Sequence, residues 1–463
     1  MLIRRAEVWD TGLRDVRLAD GLISEIGSLS PKPGEAVIDA NGGSLLPGLH
    51  DHHIHLAGLA ARAASVVCGP PDVTDAADLA ERLRASPGTG WLRGILYHES
   101  VMGLPDARAL DELLPDRPLR IQHGSGRMWL LNSRALRELL DRAEPPPGLE
   151  REAGSFTGRL FDADDWLRHA LASRPPDLAT VSARLAAFGV TGVTDMTPQN
   201  DPTIADHFGE QIEVGALRQR TVLAGTLDLA RAEGPWTIGP AKLHLHEAAL
   251  PDFAEVVAVI HAAHEQGREV AIHCVSEVEL VFALATLEEA GTSSNDRIEH
   301  ASIASPELVE RIVENRLSIC VQPHFVAERG DRYLANVEPR DHGDLYRLAS
   351  LTQAGVTLAG GSDAPFASDD PWAAMRAAVS RRTAQGRTIG PEEALTPEEA
   401  LALYLADPAD LSIQRGISVG APGDFVLLDR TWAEARARLS SADVRATLVG
   451  GRLVHDRVNQ TPG

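Results

Sequence analysis

A chain of 463 residues with 44% hydrophobic residues and a formal net charge of −22 can build a large core. It has little attraction for nucleic acid or an anionic membrane surface. Three cysteines, Cys68, Cys274 and Cys320, stand too far apart for a zinc ribbon or a disulfide framework, which fits a reducing compartment. No apolar run spans a bilayer and the first residues lack a secretory apolar stretch, so the expected location is the cytoplasm.

In chain order, the first fifty or so residues read as short strands and turns, "RRAEVWD", "DVRLADGLISEIG" and "AVIDANGGSLLPG". The other end repeats the pattern in "GDFVLLD" and "VRATLVGGRLVHD". Together they predict one small β domain from residues 1–49 and 415–463. Next comes "LLPGLHDHHIHLAG", Leu45 to Gly58, with four histidines in six positions. Residues 60–185 contain "GWLRGILYHES" and "RPLRIQHGSGRMWLLNSRALRELL", which look structured, so this stretch is an insertion and not a linker.

From Phe188 onward strands alternate with helices. "REVAIHC" is a strand, and "EVELVFALATLEEAG" is a helix closed by Gly291. "DRIEHAS" is a strand, "SPELVERIVENR" a helix capped by Ser305, and "TPEEALALYLAD" the last helix. With "HDHHIHL" as the first, eight strands are marked by His53, Gly192, Leu223, Lys242, His273, His300, Cys320 and Gly360. Repeated strand–helix units pair in parallel, so residues 50–414 predict an α/β fold, a (β/α)8 TIM barrel.

In such a barrel the C-terminal ends of the strands converge on one mouth. His53 and His55 end the first strand, Lys242 lies on the fourth, His273 and His300 end the fifth and sixth, and Asp363 ends the eighth. Residues two apart on a strand share a face, so His53 and His55 point together, while His50 and His52 have the opposite parity and are read as structural. Histidines and carboxylates in one cluster suit a divalent metal. His261 and His264, on a helix, are read as surface or packing residues.

These motifs resemble the metal-dependent amidohydrolase superfamily, and within it the family 3 branch that includes N-substituted formamide deformylases. "PGLHDHHIH" is similar to the superfamily's metal motif, and "RIEHAS", "SICVQP", "GGSDAPFASDDP" and "GISVGAPGDFVLLD" have counterparts in the branch. The resemblance implies a distorted barrel, a β-sandwich from both ends and an insertion over the barrel mouth. It implies two divalent metal ions held by His53, His55, Lys242, His273, His300 and Asp363, with Lys242 carboxylated as the bridge. Carboxylation needs a neutral amine, which lysine can supply and arginine cannot. This chain has only two lysines, Lys32 and Lys242. Zinc is the expected metal, with manganese or iron as alternatives. A bridging hydroxide would attack a small-molecule amide, N-formyl or cyclic amide carbonyl, with Asp363 as general base and then acid. A homodimer is compatible with the resemblance.

Several positions depart from the branch pattern. Ser125, Gly126 and Arg127 replace D-G-H, Glu277 stands where an aspartate is usual, and His246 and Glu247 replace D-G. His123, Arg127, His246 and His324 are therefore the candidate substrate-binding residues, Arg127 for an anionic group. Two other readings compete. A mononuclear deaminase would need H-x-x-E on the fifth strand, but the residue three after His273 is Ser276. A non-enzymatic scaffold would be expected to have lost ligands.

Overall fold

Both ends of the chain enter the same sheet. Its strands run in the order Arg452–Asp456, Val444–Val449, Phe425–Leu428, Ser44–Pro47, Leu2–Val8, Gly12–Ala19 and Leu22–Gly27, with Val37–Asp39 paired to Leu2–Val8. The inward residues Ile3, Val16, Leu18, Leu45, Phe425 and Leu448 share one core. The edge strand Leu22–Gly27 is also held by the chain that leads into Phe425–Leu428. The Ile23 N–H donates to the Ala421 carbonyl at 2.9 Å, and the Gly420 N–H donates to the Ile23 carbonyl at 2.8 Å.

The computed structural model describes residues 1–171 and 175–458. The chain forms two compact units, one of Met1–Leu56 with the chain from Asp177 onward, the other of Ala57–Pro176. Among the described residues no helix is long and apolar enough to cross a membrane.

The first unit contains the barrel. Its strands, in chain and spatial order, are Leu49–Ile54, Val190–Asp195, Arg220–Gly225, Thr237–His244, Val270–Cys274, Arg297–His300, Ser318–Val321 and Leu358–Gly360. All neighbours are parallel. All eight residues expected to mark strands lie in them. The fold is α/β, an eight-stranded barrel that is nearly closed, and its register places His244 beside His273 and Cys274 beside His300.

Closure uses the chain that follows the last strand. The Asp363 N–H donates to the His53 carbonyl at 2.6 Å, and the His55 N–H donates to the Ala364 carbonyl at 2.9 Å. Gly361 makes this approach sterically feasible. A Cβ there would lie 2.4 Å from the His53 Cβ and 2.6 Å from its backbone nitrogen.

The helices follow their local signals with two kinds of difference. Glu277–Ala290 starts on a capping box of Ser276 and Glu279 and stops at Gly291, whose φ of 80° few other residues tolerate. Ser305 occupies the cap position of Pro306–Glu314 but makes no side-chain cap bond. The last helix ends at Ala402 instead of running to Asp407. Leu403 and Tyr404 are drawn into the barrel wall, where their carbonyls accept the Gly360 and His50 N–H groups at 2.7 and 2.9 Å. Helices His324–Asn336 and Pro371–Ser380 were not read from the sequence. The second carries a legible start, Asp370 capping the Trp372 N–H with Pro371 at the first turn.

The second unit holds a six-stranded sheet, Leu149–Glu152, Ser155–Phe161, Met128–Leu131, Leu119–His123, Leu92–Tyr97 and Val66–Val67 in spatial order. It has two cores of its own, one around Leu79, Leu110 and Ile121 and one around Trp129, Leu139 and Leu160.

Gly361→Ala tests the closure. Overpacking against the His53 backbone is expected to cost about 1–3 kcal/mol. It should also shift the ligand strand, so thermal denaturation and elemental analysis should show a lower midpoint together with lower metal content.

Candidate active site

The first barrel strand delivers two imidazoles to one carboxylate oxygen. His53 Nε2 lies 3.4 Å and His55 Nε2 3.1 Å from Asp363 Oδ1. The three residues form a set whose ligand atoms all lie within 4.8 Å of one another. The far nitrogens are occupied as well. His53 Nδ1 meets Glu299 Oε2 at 2.5 Å, and His55 Nδ1 meets Thr197 Oγ1 at 3.1 Å. A carboxylate can only accept, so His53 carries a proton on Nδ1 toward Glu299. His50 and His52 point elsewhere. Both are buried with ring centroids 4.5 Å apart, and His50 Nε2 bonds Thr194 Oγ1 at 2.9 Å.

The sixth strand ends in His300, whose φ of 72° bends the backbone as it leaves the sheet. Its ring centroid lies 5.0 Å from that of His53 and 4.5 Å from that of His273. His273 in turn stacks on His244 at 4.2 Å. Burial holds His300 down to about 3 and pushes His53 and His273 below the ordinary histidine value. Lys242 is 7% exposed, and burial lowers its amine despite the pull of Glu299 and Asp363.

Asp363 also has a left-handed backbone, φ 50°, in the turn after the last strand. Non-glycine residues rarely adopt this conformation, and such strain gathers at functional sites. Burial pushes the Asp363 carboxyl up, but the hydrogen bond from His55 and the neighbouring imidazoles outweigh it and hold it well below the usual carboxylate range.

Two functional residues escaped sequence reasoning. Glu299 is fully buried and lies between His53 and Arg297, whose Nε donates to Glu299 Oε1 at 2.6 Å. Arg297 Nη2 also donates to the His52 carbonyl at 3.0 Å. Opposite charges two apart on a buried barrel strand were the available signal, because such residues need partners.

The four candidate substrate residues fare differently. His246 is exposed just beyond the fourth strand. His324 is 1% exposed and its Nε2 bonds the Ser362 carbonyl at 2.8 Å, so it buttresses the turn before Asp363. His123 and Arg127 belong to the second unit. His123 bonds Ser125 Oγ at 2.8 Å and meets Glu99 at 3.2 Å. Both prongs of the Arg127 fork are taken by Asp162, at 2.8 and 2.7 Å, with its side chain 77% exposed. After the fifth strand Ser276 is a helix cap and Glu277 is exposed in the first turn of that helix, so neither supplies a deaminase acid at that position. His264 packs on Asp296 at 3.1 Å.

The residues fit a metal ion. Both ring nitrogens of His300 and the Lys242 amine are buried and, among the described residues, have no hydrogen-bond partner. Leaving a buried polar atom unpaired costs about 1–3 kcal/mol. A cation among these donors would take the lone pair of one His300 nitrogen and, with the amine deprotonated, that of Lys242.

A barrel of this topology with histidines and an aspartate gathered at its strand ends offers a donor set suited to a divalent ion. The sequence pattern described as "Amidohydrolase family" matches residues 36–455, and the chain belongs to that family, whose members hydrolyse carbon–nitrogen bonds. It is 26% identical to an N-substituted formamide deformylase from Arthrobacter pascens, over 98% of this chain and 97% of the relative. Its fold is similar to that of an uncharacterized metal-dependent hydrolase from Pyrococcus furiosus, with TM-score 0.75, 22% identity, and 93% and 97% of the two chains covered. N-isopropylammelide isopropylaminohydrolase from Burkholderia multivorans shares the fold at TM-score 0.54 and 18% identity, with 98% and 97% covered.

Glu299→Gln keeps an acceptor for His53 but removes the charge. Metal-ligand histidines that lose such a partner typically bind metal about 10–100-fold more weakly. Titration with a competing chelator should show a loss of that size. An unchanged affinity would mean that Glu299 does not support His53 as a ligand.

Proposed function

We propose that the chain hydrolyses a non-peptide C–N bond of a small molecule, an amide, N-formyl or cyclic amide, at a two-metal centre. The observation that carries this reading is the convergence of His53 and His55 Nε2 on Asp363 Oδ1, beside buried and unpartnered Lys242 and His300. His53 and His55 would hold one ion and His273 and His300 the other, with Lys242 between them and Asp363 completing the set. Zinc suits these donors, and manganese or iron remain alternatives. Bound divalent ions supply Lewis acidity at the carbonyl and lower the pKa of water.

The chain's own residues then manage charge and protons. Lys242, kept short of its ordinary basicity by burial, has access to the neutral amine that carbon dioxide can convert to a carbamate with loss of one proton. Glu299 and Thr197 fix the two imidazoles of the first strand. Asp363, held ionised, accepts the proton of the attacking water and returns it to the leaving nitrogen as the C–N bond breaks. His246, exposed beside the fourth strand, is available to the substrate.

Elemental analysis of the purified chain should find close to two divalent ions, and intact mass should show one carboxylated lysine. A single ion with unmodified Lys242 would place the site in the mononuclear class. Asp363→Asn should retain most of the metal and lose roughly two to four orders of magnitude in turnover of an amide substrate. Near-normal turnover in a metal-replete variant would remove Asp363 from the proton transfers.

A further inference from the structure

Beside the cluster lies a side chain that the chemistry above does not use. Phe366, three residues after Asp363, is 61% exposed, while Phe161 and Phe253 are 38% and 40% exposed. A single exposed apolar side chain means little by itself. This one sits edge-on against the His55 ring, with centroids 5.6 Å apart and planes at 85°.

Its position is built. The Phe366 N–H donates to the Asp363 carbonyl at 2.9 Å, which ties it to the proposed general base. Its carbonyl accepts from Arg329 Nη2 at 2.5 Å. The Arg329 guanidinium also lies 4.1 Å from the centroid of Phe325, and Phe325 stacks parallel to His300 at 6.3 Å. Arg329 therefore links the Phe325 ring, beside His300, to the backbone of Phe366, whose ring meets His55. Phe325 is buried, whereas Phe366 keeps most of its side chain exposed beside the cluster.

The charges nearby argue for the same kind of ligand. Arg329, the cation beside Phe366, is committed to the Phe325 ring and the Phe366 carbonyl. The acids Glu247 and Glu277 are exposed just beyond the fourth and fifth strands and would repel an anion. Val275, at the end of the fifth strand, adds apolar surface with 39% exposure.

We infer that Phe366 is a specificity-determining wall of the site, and that the substrate presents an uncharged alkyl or aryl group to it beside the scissile amide. The inference rests on the reading of this barrel end as the amide-hydrolysing centre. It points away from the anionic substrate that Arg127 suggested in the sequence.

Alkyl hydroxamic acids test it without turnover, because their two oxygens chelate a divalent ion while the chain extends from the metal. Dissociation constants for aceto-, butano- and hexanohydroxamic acid are measured by calorimetry on the metal-replete protein. Burying a methylene fully is worth roughly fourfold in affinity, so partial cover by one ring should give about twofold per methylene. Hexanohydroxamic acid should then bind about tenfold or more tighter than acetohydroxamic acid. Phe366→Ser should flatten this gain to less than about threefold, and Phe366→Leu should keep most of it. Metal content of each variant is checked in parallel, so that a damaged centre is not mistaken for a lost wall. Hydroxamates that bind with no gain in length, or a gain that survives in Phe366→Ser, overturn the inference alone. A wild-type chain that neither holds metal nor binds acetohydroxamic acid overturns the reading beneath it.

Discussion

A carboxylate with no access to solvent organises this barrel. Glu299 accepts from His53 on one side and from Arg297 on the other, and Arg297 reaches past it to the carbonyl of His52. One charged pair thus holds both the His53 ring and the backbone that carries it. Burying an ion pair is costly and is often no gain in stability over apolar packing. Its advantage here is orientation. A neutral imidazole has two interchangeable nitrogens, and a buried carboxylate on one of them leaves only the other for a cation. The Asp363 turn then closes onto the same strand through the His53 carbonyl, so the opposing donors are referred to one short piece of backbone.

Much of this was legible because barrel geometry is regular. Parity along a strand separated His53 and His55 from His50 and His52, and the order of the eight strands placed Lys242, His273 and His300 on the fourth, fifth and sixth and Asp363 just after the eighth. What escaped reading is where the regularity breaks. Adjacent residues on a strand normally face opposite sides, so His300 at the inner face should have turned Glu299 outward. The positive φ at His300 releases that rule, and both residues reach His53. Partner choice was also invisible. Nothing in the sequence shows that the Arg127 fork is taken by Asp162, or that His324 is turned inward onto Ser362.

The sparing use of lysine has a structural counterpart. Lys32 is exposed and paired with Glu25, a place where arginine would serve as well. Lys242 is buried, and its amine has no hydrogen-bond partner among the described residues. Arginine would stay charged there at any ordinary pH, and its planar fork has a different reach. A chain that otherwise prefers arginine keeps lysine where a group able to lose its proton is useful.

The terminal sheet also bears on when the centre can exist. Strand Ser44–Pro47 lies between Leu2–Val8 and Phe425–Leu428, so its two neighbours come from opposite ends of the chain. Only Gly48 separates it from the strand that carries His53. During synthesis Leu2–Val8 emerges before Ser44–Pro47, and Phe425–Leu428 emerges long after both. Asp363 also emerges long after His53. Until then Ser44–Pro47 is held along one side only, and the histidine pair just beyond it stands without the carboxylate that faces it. The cluster is thus assembled from segments made far apart in time, and its first histidines wait for Asp363 to join them.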